Sequence, residues 1–191
     1  MSVGDSCYVW NDGYIAPIQL NQSVIYGADM MQYKMGIEQR LLNDSIGHFL
    51  LGGLCDRRGD FSGVLHARFT DKDAGFAATQ FSQFCRPIIP LARFDKTSYT
   101  LSDTLRVPVV VYNAMYGHLN GVRTTYYLNT DSGQVVAGGL VASGNIPLAT
   151  QNPVGEIVFP LDSLKSPCKL TLTLTVGAPS VRNHWDIEVK P

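Results

Sequence analysis

The spacing of hydrophobic and polar positions changes rhythm part-way along the chain. Over residues 30–42 the apolar side chains Met30, Tyr33, Ile37 and Leu41 recur every three to four positions, which predicts a helix, with Asp29 placed as its N-cap. Asn43-Asp44-Ser45-Ile46-Gly47 breaks that rhythm, and residues 49–54 (FLLGGL) form a short continuous apolar run of the kind expected for a strand buried on both faces. A second, shorter helix is predicted over residues 79–85, with Phe81, Phe84 and Cys85 on one face and Pro87 stopping it. Helix followed by buried strand is α/β grammar.

From about residue 98 the period is two. Segments 98–105, 107–116, 122–130, 134–143, 156–161, 169–176 and 184–190 are rich in Val, Thr, Tyr and Leu and separated by turn residues. In 169–176 the alternation is strict: Leu170, Leu172, Leu174 and Val176 face one way and Thr171, Thr173 and Thr175 the other, so one side is core and the other wet. Asp131-Ser132-Gly133 predicts a hairpin, because glycine supplies the positive φ the turn needs. About seven short strands in roughly 100 residues predict an immunoglobulin-like antiparallel sandwich, without the Cys…Trp…Cys signature of antibody domains. The proline-punctuated RPIIPLARFDK between the two rhythms reads as a linker packed on a surface, with a domain boundary near residue 90.

Composition narrows the function classes. The chain has 191 residues, 45% of them hydrophobic, and a net charge of −1, so it is globular, with no basic run to attract nucleic acid or an anionic membrane surface. No window has the length of a membrane span, and the first thirty residues lack the basic start and apolar core of an export signal. Cys7, Cys55, Cys85 and Cys168 form no CxxC pair, and buried free thiols are expected rather than a metal or redox site. No P-loop or GxGxxG is present, so nucleotide binding has no support.

Candidate chemistry concentrates after residues 49–54. Asp56 and Asp60 follow the end of a buried strand, where ligands bind in barrels and open α/β sheets; the plainer reading is that Arg57 and Arg58 pair with these carboxylates in a solvated loop. Glycoside hydrolysis needs two carboxyl groups flanking the bond. The three glutamates do not offer that: Glu38 sits in the first helix, and Glu156 and Glu188 belong to strands of the second half, while Asp56 and Asp60 share one loop. His48, His66, His118 and His184 show no HxH or HExxH spacing, and no Gly-x-Ser-x-Gly elbow provides a nucleophile. Tyr112, Tyr116, Tyr126 and Tyr127 cluster in the second half and could make a platform that stacks on a sugar, but tyrosine is also a strong strand former and adjacent Tyr126 and Tyr127 must point to opposite faces, so core or cross-strand packing is expected.

Four stretches, YKMGIEQRLL (33–42), IGHFLLGGLCDRRGDFSG (46–63), FSQFCRPIIPLARF (81–94) and RNHWDIEVKP (182–191), together resemble in order and spacing the C-terminal part of family 2 glycoside hydrolases, most closely the β-galactosidase-like, sugar-binding-domain branch of gut Bacteroidetes. The resemblance implies a (β/α)₈ catalytic barrel followed by immunoglobulin-like sandwiches, with two glutamates at the ends of the fourth and seventh barrel strands doing the chemistry. It makes residues 49–54 similar to the eighth barrel strand and Asp56 similar to the aspartate that borders the sugar cleft. Arg57 and Arg58 stand where relatives carry an aromatic and a proline, and Gly52-Gly53 interrupts the strand.

The expected fold class is therefore α+β: an incomplete (β/α) barrel remnant over residues 1–90 and a sandwich over residues 91–191. The expected function is the accessory region of a family 2-type glycosidase acting on β-linked glycosides. No residue is catalytic, no metal or cofactor is bound, and Asp56, Arg57 and Asp60 contact the carbohydrate in the full enzyme. Neither nucleic acid nor membrane is a partner, and self-association through the exposed barrel edge is expected. A periplasmic or secreted location follows only from the resemblance. The alternative is a stand-alone carbohydrate-binding or structural sandwich, with Tyr112, Tyr116 or Trp185 as contacts.

Overall fold

The computed structural model describes residues 5–11, 14–20, 28–43, 48–50, 55–56, 65–70, 78–114, 117–177 and 180–191. The chain divides into two compact units, Met1–Cys85 and Arg86–Pro191.

In the first unit, strands β1 (Asp5–Asn11) and β2 (Tyr14–Leu20) form an antiparallel hairpin, and β3 (His48–Leu50) pairs antiparallel with the other side of β1. Helix α1 (Ala28–Leu41) buries Tyr33, Ile37 and Leu41, the positions the helical spacing marks. It starts one residue before Asp29, so Asp29 lies in the first turn rather than at the N-cap. Helix α2 (Ala78–Phe84) buries Phe84, whose ring meets Phe81 edge-on at 5.1 Å.

This arrangement overturns the expected α+β class and the barrel remnant. Strands dominate the described residues, and no barrel remnant with helices is present among them. The physical reason is strand direction. Neighbouring strands of a (β/α)₈ barrel are parallel and joined by helices, whereas β1, β2 and β3 pair only antiparallel. Asn11 lies opposite Tyr14, so two residues separate the hairpin arms, a connection far too short for a parallel crossover. Of residues 49–54, positions 51–54 lie outside the described residues.

The second unit is a β-sandwich. One sheet has the order β4-β6-β9, built from β4 (Ile88–Ala92), β6 (Thr104–Asn113) and β9 (Ala149–Pro160). The other has the order β5-β11-β10-β7-β8, built from β5 (Ser98–Thr100), β7 (Leu119–Thr130), β8 (Val135–Ile146), β10 (Cys168–Val176) and β11 (Val181–Lys190). All of its pairings are antiparallel except β5 with β11. Inner-face residues of both sheets make one core: Val107, Val109 and Ile157 from the first meet Leu128, Leu170, Leu172, Leu174, Ile187 and Val189 from the second. The alternation in β10 is realised as read, with its leucines fully buried and its threonines half-exposed.

Two segments depart from expectation. RPIIPLARFDK contains β4, all five of whose residues are buried. Pro90 is tolerated there because β4 is an edge strand, where a missing N–H breaks no second ladder. The expected strand over 98–105 splits at a tight turn, because the Asp103 carboxylate accepts both the Thr100 backbone N–H (2.8 Å) and its hydroxyl, bending the chain between β5 and β6.

Three buried asparagines donate to backbone carbonyls through their side chains. Asn183 Nδ2 on β11 donates to the Pro90 carbonyl on β4 at 3.1 Å, joining the two sheets. Asn113 Nδ2 lies within hydrogen-bond reach of the carbonyls of Gly117, Ile146 and Pro147, and Asn152 Nδ2 of those of Val111, Pro147 and Ala149. These satisfy backbone carbonyls that would otherwise be buried unpaired.

Candidate functional site

Asp56 sits beside a short parallel bridge between Cys55 and Leu65, and its own N–H donates to the Leu65 carbonyl at 2.9 Å. That pairing brings His66 to it across ten residues of sequence. The Asp56 side chain is buried, and its Oδ2 stands 3.5 Å from Nδ1 of His66, which is 40% exposed. A tight turn follows: Phe69 N–H donates to the His66 carbonyl and His66 N–H to that of Thr70. Phe69 closes the turn with φ of 60°, a left-handed conformation uncommon for a bulky residue, and is 66% exposed. A buried carboxylate backed by a partly exposed imidazole can accept and orient hydroxyl groups. Arg57 and Asp60, the other expected sugar contacts, lie outside the described residues.

The carboxylates and imidazoles singled out above are otherwise scattered. Glu38 is buried on α1 against Lys34, one turn away, and burial holds the Lys34 ammonium below its ordinary pKa, the Glu38 charge opposing that shift. Glu156 on β9 faces Arg106 at 3.5 Å, and Glu188 on β11, in the other sheet, faces Lys190 at 3.5 Å. His118 and His184 are exposed, and of His48 only its place in β3 is described. Among the described residues, no three of His, Cys, Asp and Glu come close enough to share a metal ion. Cys55, Cys85 and Cys168 are free and half-buried.

The aromatics separate cleanly. Tyr126 packs against the core while Tyr127 faces outward, 51% exposed. Trp185 packs against the core and tilts over Phe94 with ring centroids 6.1 Å apart; Tyr112 is half-buried and Tyr116 lies outside the described residues. Tyr127 leans over Gly138 in the next strand, so closely that a Cβ at Gly138 would stand 2.8 Å from Cδ1 of the ring. Sequence reading misses this pairing for a definite reason. Counting back from the Asp131-Ser132-Gly133 turn puts Tyr127 opposite Ala137. A register shift between Leu128 and Asn129 adds one residue to β8 and brings Gly138 there instead.

A cluster the residue patterns do not single out surrounds the β5–β6 turn. Tyr99, buried, donates its hydroxyl to Asp95 at 2.8 Å, and Lys96 reaches Asp103 at 2.8 Å while lying over the Tyr99 ring. Burial first, then the Asp95 carboxylate, push the Tyr99 phenol well above its ordinary pKa; hydrogen bonds from Lys96 and Thr100 hold Asp103 low. Its partners are all internal, so the cluster braces the turn.

Residues 103–191 match the family model of a domain of unknown function, DUF8488. No curated protein matches the chain. Among solved structures, an alkylpurine DNA glycosylase from Pseudomonas fluorescens overlaps 55% of this chain and 31% of its own at 7% identity, with a TM-score of 0.43. A β-glucosidase from Listeria innocua overlaps 55% of this chain and 16% of its own at 13% identity, with a TM-score of 0.40. For a β-glucuronidase from Parabacteroides merdae the figures are 51% and 14% at 15% identity, with a TM-score of 0.36. The chain thus spans less than a third of each of these proteins, and glycosidases are among its partial, low-identity structural neighbours.

Proposed function

We propose that this chain is an accessory region of a family 2-type glycoside hydrolase acting on β-linked glycosides, with no bond cleavage of its own. The observation that carries the reading is the ordered set of four resembling stretches, two of which include strands of the sandwich: 81–94 contains β4 and 182–191 holds all of β11 but its first residue. They meet at the Asn183–Pro90 hydrogen bond, so the residues behind the resemblance are also residues that join the two sheets. The chemistry of the resembling family rests on two glutamates at strand ends, and Glu38, Glu156 and Glu188 are each engaged elsewhere. Asp56, buried and backed by His66, is the carboxylate suited to a sugar hydroxyl in the full enzyme, with Arg57 and Asp60 beside it in sequence. A periplasmic or secreted setting accompanies this reading.

The purified chain tests it. Chromogenic β-galactosides and β-glucuronides are expected to remain uncleaved; hydrolysis that disappears in Asp56→Asn would overturn the proposal.

A further inference from the structure

The outermost strands of the two sheets are not equally protected against the addition of another strand. An edge strand presents backbone N–H and C=O groups that its own sheet leaves unpaired, and short length, proline or charge along it keeps a foreign strand away. β5 has three residues, and all five residues of β4 are buried, Pro90 among them. β9 carries Pro153, Glu156 and Pro160. β8, at the end of the five-stranded sheet, has twelve residues with neither a proline nor a charged side chain, and Ile146 is the one buried residue among them. Its ladder with β7 shifts at Val136 and Val141, whose side chains pack against the core, and runs unbroken from Ala137 to Leu140. The Val141 side chain meets β9 at Gly155, on the inner face.

We infer that the β8 edge pairs antiparallel with the same edge of a second copy of this chain, about a two-fold axis at Gly139. Unpaired backbone groups at strand spacing select an extended strand, and the side chains beside them point to a second copy as its source. Leu140 lies opposite Thr125, Gly138 opposite Tyr127 and Val135 opposite Asn129, so Val135, Tyr127 and Leu140 share the outer face. They are 57%, 51% and 49% exposed, and the Tyr127 ring leans over Gly138, so the three make an apolar strip along the edge. Directly opposed residues of an antiparallel pair point to the same face, so a two-fold axis must fall on a residue rather than between two. With Gly139 on the axis, Leu140 of each copy stands opposite Gly138 of the other, beside the Tyr127 ring. The strip is therefore complementary to itself, as a two-fold contact requires. Charge permits the same pairing. β8 brings no like charges together, and Arg123, opposite Ser143 on β8, falls at opposite ends of the paired stretch in the two copies. The inference stands apart from the glycosidase reading, since it concerns an edge of the sandwich and does not involve Asp56.

Sedimentation equilibrium of the full chain, from micromolar to near-millimolar concentration, tests it. A monomer–dimer equilibrium is expected. It should be lost in Leu140→Lys, which sets a charge in the strip, and kept in Thr173→Lys, which puts the same charge on the same face two strands inward. Amides within residues 137–140 that exchange with solvent in the monomer should slow in the dimer. Thermal melts of the same proteins confirm that each variant is folded. A chain that stays monomeric throughout overturns the inference, as does a dimer that survives Leu140→Lys, is lost in Thr173→Lys, or leaves exchange within residues 137–140 unchanged.

Discussion

Two apolar stretches of the chain meet different fates. Residues 169–176 alternate leucine with threonine and become β10, an inner strand with β11 on one side and β7 on the other. Residues 49–54 contain no polar position, and their described part contributes to the three-residue β3 at the edge of a small sheet. The alternating stretch states which side chains face the core, and a slip by one residue would turn every leucine to water. A continuous run states only that both faces are covered. It fits a parallel barrel strand and an antiparallel edge strand equally well, and direction is set by the partner, here β1.

The contrast can be broken most sharply at Leu172, fully buried at the centre of β10. Leu172→Ala should cost about 2–5 kcal/mol in denaturant unfolding of the sandwich, while Thr173→Ala, one residue along on the outer face, should stay within about 0.5 kcal/mol. Equal effects at the two positions would show that the alternation is not what holds β10 in place.

Asn183 comes next. Asn183→Ala removes the donor to the Pro90 carbonyl and should cost about 1–3 kcal/mol, the penalty of an unsatisfied buried group. The β4 amides should exchange with solvent faster than those of β10, a difference that amide hydrogen exchange resolves. A smaller effect is expected at the hairpin. Gly133 has φ of 82°, so Gly133→Ala should cost about 1 kcal/mol.

The mildest comparison uses pH and should move the two units in opposite directions. In the sandwich, the folded pKa of Tyr99 is raised, so its contribution is fully present below the unfolded value of about 10 and declines as pH rises beyond it. In the N-terminal unit, the folded pKa of Lys34 is lowered by burial, so the penalty of its charge is relieved as pH rises from that folded value to the unfolded one of about 10.4. Alkaline titration followed by signals assigned to each unit should show loss in the sandwich and gain around α1, abolished respectively by Tyr99→Phe and Lys34→Met.

Much of the sandwich is legible in the sequence because alternation, β-branched residues and the Asp131-Ser132-Gly133 turn all point the same way. What escapes are features in which one residue answers to a distant one. Pro90 reads as a loop signal, yet it sits in a buried edge strand whose carbonyl is met by Asn183, 93 residues later. The β1–β2 hairpin is the exception, since Asp12-Gly13 between two strand-like runs is a local signal. At the candidate site, the strand-end position of Asp56 singles it out, but His66 reaches it only through the Cys55–Leu65 bridge. Tyr127 is visible as an outward residue, and its glycine seat appears only once the register shift in β8 is known.

The central claim, that this chain is an accessory part of a glycosidase, is tested most directly by sequencing the coding DNA immediately upstream of Met1. The account predicts an open frame encoding a glycosidase catalytic domain with two strand-end glutamates. An upstream region that encodes no such domain would contradict it.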